Sequence, residues 1–256
     1  FIFFGERECS IQRRNQKIIE EAPSPFLSLK VREKMGAQAI ALARSVGYFS
    51  AGTVEFIVDS NQNFYFLEMN TRLQVEHPVT ELVYGVDLVE EMIRVAAKKQ
   101  ITYSQTNIKI NGWAIESRIY AEDPVKNFLP STGRLCLYSP PKEVDTEFFK
   151  LRNDSGVYEG AEISIYYDPM IAKLCVWAPN RKIAITKMQD ALDSFKIEGV
   201  QTNLNFLSSV MENTQFKLGN FSTAFISDQF SKGFMYKPPN NRFSKYFAMV
   251  AASMQA

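Results

Sequence analysis

With 256 residues, 46% of them apolar, and 29 basic against 28 acidic side chains, the chain has the size and balance of one large or two smaller globular domains. A formal charge of +1 excludes a broadly cationic surface, so neither nucleic acid nor membrane is expected as a partner, and any phosphate specificity has to come from local arrangement. Three cysteines (Cys9, Cys136 and Cys175), odd in number and far apart, fit neither a disulfide framework nor a zinc site; free thiols in a reducing compartment are expected, and no apolar run reaches membrane-spanning length.

Phe1-Ile2-Phe3-Phe4-Gly5 reads as a strand already under way in a fragment of something longer. A polar and basic stretch over residues 10–21 follows, then a rigid break at Ala22-Pro23-Ser24-Pro25. Ser28 caps a predicted helix reaching about Val46, with Val31, Met35, Ala39 and Leu42 on one stripe and Gly47 as its stop. Two strand-like runs, residues 52–59 and 63–70, flank the turn Ser60-Asn61-Gln62. Pro78 opens a short helix ended by Gly85, and Asp87 with Glu90 forms a capping box for a helix to about Ala97. Beyond Ile101 the pattern changes to strand-like runs at residues 112–120, 134–139 and 161–177, then helices at 181–195 and 202–211, an α+β order. Pro238-Pro239-Asn240-Asn241 reads as a linker, with a further element starting after it.

The chemistry concentrates in the hairpin. A turn centred between Asn61 and Gln62 pairs Asp59 with Phe64, Ile57 with Phe66, and Glu55 with Glu68. Two facing carboxylates in strands apolar on both sides repel each other. Two readings stand: a hard divalent cation such as Mg²⁺ or Mn²⁺ holds them, or one Glu is protonated or slipped into solvent. Glu68, Asn70, Arg72, Gln74 and Glu76 then alternate with Met69, Leu73 and Val75, which in an extended chain puts two acids, two amides and a guanidinium on one face. That row is either a set of ligands or a charge ladder on an exposed edge. Arg72 suits bidentate capture of an oxyanion, and Glu76 is a candidate general base. His77 carries a structural role as readily as a catalytic one. Lys17 lies in a basic run that alone reads as a solvated face, and Glu116 with Arg118 reads as an ion pair within a strand.

Glu68-Met69-Asn70-Thr71-Arg72-Leu73-Gln74-Val75-Glu76-His77-Pro78 closely resembles the active-site signature of biotin carboxylases, members of the ATP-grasp superfamily. The likeness extends to residues 7–17, 52–56, 116–124 and 166–174 and covers the chain to about residue 232. Within that family, residues 110–116 and 163–170 are most similar to the carboxylase-bearing α subunits of acyl-CoA carboxylases, the propionyl-CoA type in particular. The resemblance implies an α+β architecture. Residues 1–103 would be the C-terminal part of an ATP-grasp domain, 104–232 the biotin carboxylase C-terminal domain, and 233–256 a linker and the start of a further domain.

It further implies an ATP-dependent ligase that carboxylates biotin with bicarbonate through carboxyphosphate. Glu55, Glu68 and Asn70 would hold Mg²⁺ or Mn²⁺ on the nucleotide phosphates, with Gln12 and Gln16 also facing the nucleotide. Lys17, Arg72, Gln74 and the backbone of Val75 would hold bicarbonate, Glu76 would deprotonate it, and Arg118 would stabilise the biotin enolate, oriented by Asp168. The implied partners are a biotinylated carrier domain and a carboxyltransferase β subunit, in the cytoplasm of a bacterium or in a mitochondrial matrix. The family's N-terminal lobe and glycine-rich phosphate loop are not found, Asn15 stands where some bacterial members have histidine, and no Met-Lys-Met sequence is present to carry biotin. These 256 residues alone are therefore expected to be inactive. Another ATP-grasp carboxylate ligase and a non-catalytic assembly fragment are the competing readings.

Overall fold

In the computed structural model, which describes residues 1–236 and 241–254, Arg14 and Asn15 both take positive φ (50° and 64°). Two consecutive left-handed residues form the tight turn whose twist suits a hairpin. They fold β1 (Glu8–Arg13) back onto β2 (Gln16–Ala22). The segment that reads as a polar stretch is thus a hairpin, and the expected opening strand is not one: Phe3 instead exchanges backbone hydrogen bonds with the Gln105 side chain. The reason is burial. In β2, Ile18 through Ala22 are all buried, so its acids are inward-facing members of a central strand.

The capped helix α1 (Leu29–Ser45) keeps its expected half-buried stripe and stops at Gly47 (φ 62°), although Ser28 makes no side-chain capping bond. β3 (Thr53–Val58) and β4 (Phe64–Asn70) form a two-stranded sheet of their own. Helix α2 (His77–Tyr84) ends at left-handed Gly85, and α3 (Leu88–Ala96) begins with Asp87 accepting from Glu90 N at 2.7 Å. The Glu90 carboxylate turns to Arg94 at 2.6 Å.

β5 (Trp113–Tyr120) follows, then β6 (Val144–Asp145), β7 (Lys150–Ser155) and β8 (Met170–Ala178). Helices α4 (Arg181–Ser194), α5 (Leu204–Glu212), α6 (Thr214–Leu218), α7 (Phe225–Gln229) and α8 (Asn241–Met254) complete the described chain. The expected strand at 161–177 is only partly one: Glu162–Ile163 and β8 are separated by an open loop. The expected linker lies outside the described residues except for Asn241, which opens α8.

One antiparallel sheet, ordered β1-β2-β5-β8-β7-β6, organises the molecule. Glu20 lies opposite Glu116, and Glu116 lies opposite Cys175, so β2 is stitched to strands more than ninety residues further on. The sheet therefore runs across the expected boundary at residue 103. Strand alternation gives it two distinct faces. On one, Ile115, Ile119 and Leu174 meet Ala184, Met188, Phe206 and Leu207 of α4 and α5 in the main apolar core. On the other, Ala22, Ala114 and Trp177 meet Val79 and Val83 of α2. That second face carries Glu20, Glu116, Arg118 and Lys173 beyond its apolar patch, and α2 sets its own N-terminal residues above them.

Candidate active site

The β3–β4 register places Glu55 directly opposite Glu68, as the turn position predicts. Towards the turn the register shifts by one residue, so Phe56 pairs with Phe66 and Val58 with Phe64. A bulge at Leu67 absorbs the difference, between the paired acids and the turn. The hairpin is not buried: Glu68 and Leu67 are exposed and Glu55 is half-buried. Burial therefore adds less to the repulsion between the two acids than the apolar flanks suggest. Asn70 Nδ2 bridges them, donating to Oε1 of Glu55 at 3.2 Å and of Glu68 at 3.0 Å.

After Asn70 the chain leaves the strand and bends into the start of α2, so the alternating row is extended only at its beginning. Its residues converge nonetheless. Gln74 donates to Glu55 Oε1 at 2.6 Å and accepts from Arg7 at 2.6 Å. Arg7 also donates to Thr53 (3.0 Å) and Thr80 (2.9 Å), clamping the hairpin to α2. The Val75 carbonyl accepts from Lys173 at 2.9 Å. Arg72 stays exposed at the rim, its guanidinium held among the described residues by long bonds to Asn70 Oδ1 (3.3 Å) and Leu73 O (3.2 Å), which leaves it available to an incoming anion.

Lys17 and Glu76 form the centre. Lys17 Nζ donates to Glu55 Oε1 at 2.9 Å and to Glu76 Oε1 at 2.6 Å, and the other Glu76 oxygen accepts from Arg118 at 3.0 Å. Glu76 is buried, which alone would raise its pKa. Arg7 and Lys17 outweigh burial and hold it below the ordinary carboxylate range, so it is an anion at neutral pH. Burial likewise opposes the Lys17 charge, and Cys9, Glu76 and Glu55 outweigh it, raising the ammonium above its ordinary value. Arg118 is fixed from behind: buried Asn203 donates to its carbonyl at 3.0 Å and accepts from Tyr120 N at 2.9 Å, pinning the strand around it.

These side chains open on a cleft of about 370 Å³. Lys17, Glu55, Glu68, Asn70, Arg72, Gln74, Val75, Glu76 and Arg118 all line it, as do Gln16 and Asp168. Gln12 is not among the lining residues; its amide donates to Cys9 O at 2.7 Å. Asp168 is exposed and accepts from Met170 N, while Arg118 contacts Glu76 and Glu20. His77 stays out of the cleft, its Nδ1 2.8 Å from Gln74 O. Sequence reading gave no role to Arg7 or Glu20. For Glu20 the signal was present: an acid set between Ile18-Ile19 and Ala22 in a run short enough for a buried strand.

Two carboxylates and an amide, all able to present oxygen, converge at the hairpin, and beside them stand a lysine, an arginine and a buried carboxylate anion. The donor set fits a hard divalent cation shared with phosphate oxygens. Against known proteins, residues 1–103 match the family described as "Carbamoyl-phosphate synthase L chain, ATP binding domain", and residues 116–228 match "Biotin carboxylase C-terminal domain". This chain belongs to the biotin carboxylase family. It combines the C-terminal part of an ATP-grasp domain with the α+β domain that follows it in biotin carboxylases.

Among its relatives, the propionyl-CoA carboxylase alpha chain of Ruegeria pomeroyi is 60% identical over 248 residues, covering 91% of this chain and 36% of the relative. The human mitochondrial propionyl-CoA carboxylase alpha chain is 56% identical over 234 residues, covering 91% and 32%. The biotin carboxylase domain of Hydrogenobacter thermophilus 2-oxoglutarate carboxylase, solved with MgADP, ADP and bicarbonate, superposes with a TM-score of 0.87 at 46% identity, over 93% of this chain and 51% of that one. The chain thus spans about a third of the length of those curated relatives. No described helix is long and apolar enough to cross a membrane.

Proposed function

We propose that this chain forms one wall of the active site in the biotin carboxylase component of a biotin-dependent acyl-CoA carboxylase, of the propionyl-CoA type. The observation that carries the reading is the continuous contact path Glu55–Lys17–Glu76–Arg118, which joins the paired acids to a buried anion and a buried guanidinium within one cleft. ATP and bicarbonate are the substrates, and biotin arrives on a carrier domain. A carboxyltransferase β subunit uses the product to carboxylate the acyl-CoA. The division at residues 103 and 232 belongs to this reading, as does location in bacterial cytoplasm or mitochondrial matrix according to the source organism.

Glu55, Glu68 and Asn70 would hold Mg²⁺ or Mn²⁺, which supplies charge neutralisation for the nucleotide phosphates. Gln16 stands on the same wall and faces the nucleotide; Gln12 is assigned to it by family likeness alone. Arg72 closes on bicarbonate from the rim, with Lys17, Gln74 and the Val75 backbone completing its cradle. Glu76 is already ionised and takes the bicarbonate proton, so that the oxyanion attacks the γ-phosphate of ATP to give carboxyphosphate. Arg118 faces the negative charge that develops on biotin when its ureido nitrogen is deprotonated. Asp168, at the mouth of the same cleft, is assigned a supporting part in placing Arg118.

The test uses the intact protein and follows ADP release with and without bicarbonate, together with Mg²⁺-nucleotide binding. Bicarbonate-dependent ADP release is expected, and Glu68→Gln is expected to weaken Mg²⁺-nucleotide binding by about tenfold or more. ADP release indifferent to bicarbonate would favour another ATP-grasp ligase. Binding unchanged in Glu55→Gln and Glu68→Gln would remove the metal assignment.

A further inference from the structure

Behind Arg118 the sheet holds more carboxylate than its cations can match. Glu20 on β2 and Glu116 on β5 face each other in register, and both are fully buried. Arg118 Nη2 contacts a Glu20 oxygen and Glu76 Oε2, and its Nε lies 3.8 Å from Glu116 Oε1. Among the described residues, the other cations on this face are committed: Lys17 to Glu55 and Glu76, Lys173 to Asp154 (3.2 Å) and the Val75 carbonyl, and Arg152 to Asp154 (2.7 Å) and Glu81 (2.8 Å). One guanidinium therefore serves three carboxyl groups.

Glu21, the next residue along β2 and equally buried, shows what a satisfied acid looks like in this sheet. It accepts from Arg181 at 2.7 and 2.9 Å and from Trp113 Nε1 at 2.5 Å. Among the described residues, by contrast, neither Glu20 oxygen nor Glu116 Oε1 has a donor in hydrogen-bond geometry. Two carboxylates side by side in an interior, sharing one guanidinium and short of well-formed donors, cannot both ionise without a large electrostatic cost.

We infer that Glu20 and Glu116 work as one unit that keeps a single proton between them, and that the one negative charge left on the pair positions Arg118 toward Glu76 and the cleft. The groups facing the pair are Cys9 from β1, Lys17 from β2, Arg118 and Tyr120 from β5, Lys173 and Cys175 from β8, and Glu76 at the start of α2; Arg7 acts on Cys9 and Asp154 on Cys175 behind them. Burial pushes Glu20 up to about 7 against the pull of Arg118, and burial with the Glu20 charge pushes Glu116 up to about 8. Cys175 Sγ, 3.4 Å from Glu116 Oε2, is a weak and neutral donor, its own thiol pushed up by burial. The consequence for biotin carboxylation rests on the proposed function; the shared proton does not.

The test compares Glu20→Gln, Glu116→Gln and the double variant in the intact protein. Either single variant leaves the other carboxylate to carry the charge, so kcat for bicarbonate-dependent biotin carboxylation is expected to fall by no more than about threefold. The double variant removes the charge, and kcat is expected to fall by about thirtyfold or more with KM for ATP within about twofold of wild type. A double variant no worse than the singles, or either single as damaging as the double, overturns the inference.

A second arm reads the proton without activity. The folded state holds a proton that the unfolded state loses above about pH 4.3, so the pair's contribution to stability is expected to decline as pH rises from about 5 to 8. The slope of melting temperature against pH should be more negative in wild type than in Glu116→Gln. Equal slopes refute the shared proton even if the intact protein releases no ADP with bicarbonate, an outcome that defeats the functional reading instead.

Discussion

A carboxylate held between two cations and a carboxyl facing another carboxyl titrate in opposite directions, and Arg118 touches one of each. Glu76 is pulled below its ordinary range by Arg7 and Lys17, while Glu20, on the other side of the same guanidinium, is pushed above it by burial. Residue type alone does not assign these roles; the neighbours do. His77, the only histidine in the chain, gives a direct test at this scale. Burial lowers its pKa, with Lys173 and Arg152 adding to the effect against Gln74 O and Glu81. The folded ring is therefore neutral where the unfolded one begins to take a proton, and its contribution to stability is lost as pH falls below about 6.5. In a proton NMR titration of this chain the single imidazole signal is expected to titrate below about 6.5. His77→Gln should remove that part of the acid-side stability loss. A signal titrating above that value contradicts the assignment.

Among the elements, those legible in the sequence carried their signal locally. The β3–β4 hairpin followed from its turn, α3 from Asp87 and Glu90, and α2 from Pro78 and Gly85. β2 and β7 did not, because the residues that define them, Glu20-Glu21 and Arg152-Asn153-Asp154, look solvated until the partner strands are known. The same limit applied to the site. The Glu55–Glu68 pair could be read from a turn, and the row to Glu76 from its spacing, while the bend after Asn70 and the clamp by Arg7 depend on contacts dozens of residues apart.

The entry to β5 gives the prediction at this scale. Gly112 has φ 71°, and a Cβ there would lie 2.4 Å from Ala178 O and 2.6 Å from Trp177 Nε1. The carbonyl belongs to β8, the neighbour of β5, and cannot swing aside as a flexible side chain would. Gly112→Ala combines that clash with a strained backbone and is expected to cost at least about 2 kcal/mol. Thermal denaturation should show this as a melting temperature lower by about 4 °C or more. An unchanged midpoint would mean that β5 does not depend on this close approach to β8.

Across the whole molecule, one sheet joins the two family-matched segments, so the groups of the cleft are held by strands that pair across the boundary between them. β2 supplies Lys17, β5 supplies Arg118, and the start of α2, docked on that sheet, supplies Glu76. The β3–β4 hairpin contributes its acids from outside the sheet and leaves Ile57, Tyr65, Phe66 and Leu67 exposed. A two-stranded hairpin with that much apolar surface in water is marginal by itself. Its acids therefore depend on the Lys17, Gln74 and Arg7 contacts to stay aligned. On the proposed function these residues make one wall of the site for metal and bicarbonate, while the chain spans about a third of its curated relatives. Phosphoryl transfer needs the nucleotide fixed in line with its acceptor, which one wall of an open cleft does not provide. These 256 residues alone are accordingly expected to release no ADP above background with Mg²⁺, ATP and bicarbonate, with or without free biotin. A coupled ADP assay, run beside the intact protein as positive control, checks this. Turnover of free biotin by the isolated chain would show that the groups on this one wall suffice for catalysis.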